Sequence, residues 1–176
     1  MPEKKKKYKI ICDTREKQPL SFEHEEAFDG VIYKKLDSGD YSLEGFEHLV
    51  AIERKHNINE IFGNVYTRTN LDRFIREIER MPKHRFILIE QEFEDLFDPA
   101  NFYVNILAGY RRGKYNASRR NKTLHPDIPR IIMMRRLTEF MIKYDVKVMF
   151  VGKRAAEIIK YILLEVANNY PSGTNP

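Results

Sequence analysis

Three charged residues, Glu53-Arg54-Lys55, close the apolar run Val50-Ala51-Ile52. Charges placed at the end of a buried strand cost free energy unless a site uses them, because an ion taken out of water must find a partner. Strand periodicity puts Glu53 and Lys55 on one face and Arg54 on the other. Thirteen residues before Glu53, Asp40 stands at the start of a segment that would pair with this strand as a hairpin. The return strand then brings two carboxylates and an ammonium to one end of a sheet. Carboxylate oxygens suit Mg²⁺, a hard ion that takes one or two protein carboxylates and leaves its other positions to water and substrate phosphate. Such an ion stabilises charge on a phosphoryl transition state and acidifies a bound water, which Lys55 could orient or activate. An aspartate, a spacer and Glu-x-Lys on a hairpin is the signature of metal-dependent nucleases, but as a bare pattern it is short and leaves open an ordinary solvated strand end, with Asp40 as a turn aspartate after Ser38-Gly39.

The elements that must position these residues follow from period and punctuation. Residues 1–7 read as a charged tail, and 8–13 as a strand with Ile10 and Ile11 inward. Gln18-Pro19 marks a turn, residues 31–36 alternate as a second strand, and Asp37-Ser38-Gly39-Asp40 ends it. Tyr41 and Leu43 open the hairpin that residues 48–53 close, and Val50-Ala51-Ile52, apolar on both faces, predicts a strand near the middle of a covered sheet. From Asn57 the spacing becomes helical through Ile58, Ile61 and Phe62, with Gly63 expected to break the run. Leu71, Phe74, Ile75 and Ile78 share a face of a second helix, for which Asn70 is the expected cap. Residues 85–90 read as a strand and 101–109 as a helix. Pro126 or Pro129 starts a helix carrying Ile131, Ile132, Met134, Leu137, Phe140 and Met141, with Met133, Met134 and Met141 expected in the core. Residues 146–151 form a strand, 154–167 a terminal helix, and 171–176 a frayed tail. Early strands followed by alternating helix and strand predict an α/β sandwich with a mixed sheet.

A chain of 176 residues, 42% hydrophobic with 11 Phe and 10 Tyr, supports one domain with a real core over residues 1–170. No apolar run approaches the roughly 18 residues that span a bilayer, and no signal-like stretch follows the N-terminus, so a soluble, intracellular protein without membrane contact is expected. The single cysteine, Cys12, excludes an intramolecular disulfide or a cysteine-based zinc site and reads as a buried strand residue. The five histidines lack ligand spacing, although His56 follows Lys55 directly. The net charge of +5 is uneven: residues 101–136 sum to +8 and the rest to −3. Within that segment Arg111, Arg112, Lys114, Arg119, Arg120 and Lys122 mix with Tyr103, Tyr110 and Tyr115, a combination suited to phosphate contact and stacking. Gly109, Gly113 and Asn116-Ala117-Ser118 predict that residues 101–130 are mobile.

Taken in order, Asp13-Thr14-Arg15-Glu16, Gly39-Asp40-Tyr41 and Ile52-Glu53-Arg54-Lys55 resemble the nuclease domain of the XPF family of structure-specific endonucleases, whose hallmark is Gly-Asp, a spacer, then Glu-Arg-Lys and a following aspartate. The strand Phe86-Ile87-Leu88-Ile89-Glu90 and the final Val148-Met149-Phe150-Val151-Gly152 strand with its helix follow the same order. The resemblance implies a restriction-endonuclease-like three-layer sandwich and Mg²⁺- or Mn²⁺-dependent cleavage of DNA near a branch, flap or junction. It carries metal binding onto Asp40 and Glu53 with Asp13 as a further acidic member, the catalytic lysine's role onto Lys55, and the motif arginines' roles onto Arg15 and Arg54. It also implies pairing of two nuclease domains, as a homodimer or heterodimer, through late helices, here with apolar faces around Leu137 and Ile162. Two departures stand out. Asn59, followed by Glu60, occupies the place of the aspartate after Glu-Arg-Lys, and the helix-hairpin-helix module that usually follows is expected to be missing, which leaves junction recognition to the basic segment. Two other readings remain open at this level: a non-catalytic DNA-binding or scaffold subunit, and a restriction-type endonuclease.

Overall fold

The computed structural model of the chain describes residues 7–22, 26–102 and 127–170. Its elements are β1 (Tyr8–Cys12), β2 (Phe28–Tyr33), β3 (Tyr41–Leu43), β4 (Val50–Lys55), α1 (Ile58–Val65), α2 (Arg68–Glu79), β5 (His84–Ile89), α3 (Asp127–Tyr144), β6 (Val146–Phe150) and α4 (Ala155–Asn169), with short 3₁₀ turns at Phe93–Phe97 and Pro99–Phe102. Among the described residues six strands form one sheet in the order β2-β1-β3-β4-β5-β6. β3 runs antiparallel to both neighbours, while β1 pairs β2, and β4, β5 and β6 pair one another, in parallel.

Two apolar layers cover the sheet. Ala51, Ile87 and Ile89 pack with Ile61 and Phe62 of α1, Phe74 and Ile78 of α2 and Met133 and Phe140 of α3. On the other side Ile10, Tyr41, Ile52 and Leu88 pack with Ile159 and Leu163 of α4. The molecule is thus an α/β three-layer sandwich of the expected class, and β4 sits centrally because Val50, Ala51 and Ile52 bury side chains into both layers. Cys12 is fully buried on β1.

Local differences from the sequence pattern have identifiable causes. β2 lies three residues earlier than the alternation of 31–36 predicts. It is an edge strand paired only with β1, so its period is weakly imposed, and the chain beyond Tyr33 leads to the buried Leu36. α1 runs through Gly63, since the burial of Ile58, Ile61, Phe62 and Val65 outweighs the roughly 1 kcal/mol that a helical glycine costs. α2 is capped by Thr67, whose Oγ1 accepts from the Asn70 backbone, and Asn70 instead donates its side-chain amide to the Gly63 carbonyl at 2.8 Å, tying α2 to α1. On α3 Met133 is core, but Met134 and Met141 are exposed; Leu137 is buried against the sheet and cannot serve as a docking face. Of the helix expected at 101–109 only Asn101 and Phe102 are described, closing a 3₁₀ turn. The basic residues Arg111, Arg112, Lys114, Arg119, Arg120 and Lys122, with the expected mobility of their segment, and the tail at 171–176 lie outside the described residues.

Candidate active site

The antiparallel pairing of Tyr41 with Ile52 sets Asp40 opposite Glu53. The Asp40 N–H donates to the Ile52 carbonyl at 2.8 Å, and its Oδ2 accepts from the Arg54 N–H at 2.7 Å, so the backbone on either side of Glu53 grips Asp40. Gly39 makes this approach possible. Its φ is +74°, and a Cβ there would stand 3.0 Å from the Ile52 carbonyl oxygen. Burial, and next the negative charge of Glu53, push the Asp40 carboxyl up to about 7, against the pull of the Arg54 N–H and the Lys55 charge.

Lys55 is buried, and its Nζ donates to Glu53 Oε1 at 2.8 Å, lies 3.9 Å from Glu60 Oε1 and sits 5.3 Å above the Phe74 ring of α2. Burial alone would lower its pKa, but the Glu53 charge and hydrogen bond, with Glu60 and Asp40 behind them, hold it above the ordinary lysine value. It is therefore an ammonium at neutral pH, able to donate to an anion or an attacking oxygen rather than to take a proton. Glu60 also accepts from the His56 N–H through Oε2 at 2.9 Å. The carboxylate one residue beyond Asn59 thus faces the lysine.

Arg54 leaves the same strand on the opposite face, as period 2 requires. Its guanidinium is buried, donates to Glu90 Oε2 at 2.7 Å and to the Gln18 carbonyl at 2.6 Å, and stands 3.8 Å from Glu16 Oε2. His56 Nδ1 lies 3.2 Å from both Arg54 Nη2 and Glu90 Oε2. The arginine ties the loop after β1 to the ends of β4 and β5.

Asp13 is almost wholly buried. It accepts from the Arg15 N–H, the Arg15 guanidinium at both oxygens, and the Leu36 N–H at 2.6 Å. Burial would raise its pKa, but these bonds, the Arg15 guanidinium first, outweigh it and hold Asp13 below the usual carboxylate value. Its N–H donates to the Asp40 carbonyl at 2.8 Å. Asp13 and Arg15 thus lock the loop that supports Asp40. Among the described residues no three His, Cys, Asp or Glu side chains are grouped to hold an ion, so Asp13 is not brought into one cluster with Asp40 and Glu53.

Sequence reading passed over Glu90, and a signal existed: it closes the apolar run Phe86-Ile87-Leu88-Ile89 with a charge, as Glu53 closes its neighbour.

Comparison of the backbone with solved structures finds XPF from Aeropyrum pernix in complex with DNA, at a TM-score of 0.60 and 15% identity over 93% of this chain and 66% of that one. The chain has an XPF-type fold. A second XPF structure from Aeropyrum pernix matches at a TM-score of 0.55 and 14% identity over 93% of this chain and 67% of that one. This chain therefore spans about two thirds of the XPF chains it matches. No protein-family model and no curated protein matches the sequence. Among the described residues no helix is long and apolar enough to cross a membrane.

Proposed function

We propose that this XPF-type chain is a metal-dependent DNA endonuclease that hydrolyses a phosphodiester near a branch, flap or junction. The observation that carries the reading is the Asp40–Glu53 pair. Two carboxylates face each other across β3 and β4 with one ammonium beside them, and burial, then the Glu53 charge, push the Asp40 carboxyl up to about 7. Hard oxygen donors in mutual repulsion fit a divalent cation, so Asp40 and Glu53 are the residues that would hold Mg²⁺ or Mn²⁺. When bound, the ion supplies charge stabilisation at the phosphoryl oxygens and a more acidic water.

The chain's own groups do the rest. Lys55, fixed by Glu53 and charged, donates to an oxygen of the scissile phosphate or orients the attacking water. Glu60 shares the lysine and holds the backbone at His56. Asp13, Arg15 and Arg54 act as positioning residues, bracing the loop and strand from which Asp40 and Glu53 project. We further propose that two chains pair through late helices, where Ile131, Met141 and Ile142 of α3 and Tyr161 of α4 stand exposed.

The test is cleavage of end-labelled 3′-flap, fork, four-way-junction and plain duplex DNA with Mg²⁺, Mn²⁺ or chelator. Metal-dependent nicking confined to branched substrates is expected, with a loss of at least about 10²-fold in Glu53→Ala and in Lys55→Ala. Cleavage retained in both variants would refute the assignment. DNA binding without cutting under any condition would favour a scaffold subunit, and discrete bands on long duplex DNA a restriction-type enzyme.

A further inference from the structure

A cleft of about 620 Å³ opens on the face of the sheet that carries the carboxylate pair. Its floor includes Ser42, buried and donating to the Val50 carbonyl at 2.7 Å. Alternation along β3 puts Ser42 on the face that carries Asp40, and the register with β4 makes this the face of Glu53 and Lys55. One wall is the chain from Lys34 to Ser38, which leads directly into Gly39-Asp40; the other is Arg80 with Pro82, just past the end of α2. Ser38 Oγ donates to the Arg80 carbonyl at 3.3 Å and joins the two walls.

The charges in this cleft are not all engaged. Lys34 and Glu47 neutralise each other at 2.8 Å. Among the described residues Lys35, Arg80 and His48 form no ion pair, and Asp37 is the carboxylate left to oppose them. Two long cationic side chains and an imidazole therefore rim a trough whose floor, at Ser42, lies two residues along the chain from Asp40.

We propose that this cleft is a track for the phosphate backbone of the DNA strand entering the Asp40–Glu53 site, with Lys35 and Arg80 as its phosphate contacts. The inference rests on the nuclease reading and adds where the described surface holds substrate. A flexible ammonium and a guanidinium that reach a strand without touching base edges position it and carry no sequence information, as a branch-directed enzyme requires.

The test is anisotropy of a labelled flap oligonucleotide in chelator, which prevents cutting, over a salt series. The protein carries Lys35→Glu with Arg80→Glu, beside a control with the same charge change at Lys143 and Lys147, near the opposite edge of the sheet. About tenfold weaker binding is expected for the cleft variant alone, and the charge-neutral pair Lys35→Gln with Arg80→Gln should make the log affinity against log salt slope shallower by about 1.5, the value for two phosphates. Equal loss in cleft variant and control, or no loss in the cleft variant, would overturn the track. The Gln pair also serves if the reversed charges unfold the chain. Wild-type protein that binds no DNA would instead overturn the nuclease reading itself.

Discussion

Asp40 links the chemistry of the site to the stability of the fold. Its folded pKa, about 7, lies above the ordinary aspartate value of 3.8, so the folded chain holds this proton more tightly than the unfolded chain does. Stability contributed by Asp40 is full below pH 3.8 and is lost as pH rises towards 7, where the folded state must carry the ionised pair. Asp40→Asn removes that penalty. In metal-free buffer its urea-unfolding free energy should exceed wild type by on the order of 1–3 kcal/mol at pH 8, with a gap that narrows as pH falls to 5. Added Mg²⁺ should close the gap from the wild-type side, and the wild-type affinity for the ion should rise with pH through about 7 as the proton is displaced. A constant gap across that range would remove Asp40 from the pair.

At the scale of elements, the ends of β4 and β5 are held by charge as well as by the apolar packing of Ile87 and Ile89. Arg54 and Glu90 form a largely buried pair, and removing Glu90 leaves the guanidinium only the more distant Glu16, at 3.8 Å, as counter-charge. Glu90→Gln should therefore lower the unfolding free energy by about 2–4 kcal/mol in urea titrations while leaving the Lys55–Glu53 pair on the far face in place. Gly39, in the turn that leads into β3, is the corresponding point on the neighbouring strand. An alanine there meets the Ile52 carbonyl and a left-handed φ together, and Gly39→Ala should cost about 1–3 kcal/mol and depress cleavage further than stability alone explains, because Asp40 is carried away from Glu53. Cleavage that simply tracks the folded fraction would show that this turn does not aim the carboxylate.

At the scale of the whole molecule, α3 and α4 present Ile131, Met141, Ile142 and Tyr161 to solvent. Buried Leu137 excludes the docking face that the helical pattern first points to, and exposed Ile142, at 78%, marks where α3 departs from a simple amphipathic helix. Pairing of two chains through this surface predicts a dimer mass by light scattering at tens of micromolar, converted to a monomer by Ile142→Asp with an unchanged melting temperature of the isolated fold. A monomer in the wild type would confine the active unit to one chain.

What the amino-acid sequence determined by itself is local and periodic. The charges closing β4, the alternation that separates Arg54 from Glu53 and Lys55, and the 13-residue hairpin spacing to Asp40 are all legible, because side-chain direction along a strand and return across a hairpin are fixed by short-range geometry. The order of strands and helices was legible for the same reason, and it sufficed for the class of fold. Only tertiary structure decided what depends on contacts distant in sequence. Asp13 became a brace when Leu36, 23 residues on, donated to its carboxylate. Glu90 became the partner of Arg54 across 36 residues. Met134 and Met141 turned outward while Met133 turned in, because all three belong to an apolar pattern too broad to fix the helix's rotation against the sheet. Lys55 is an ammonium because Glu53, Glu60 and Asp40 converge on it inside the fold, and no spacing along the chain could weigh their charges against the cost of burying the lysine.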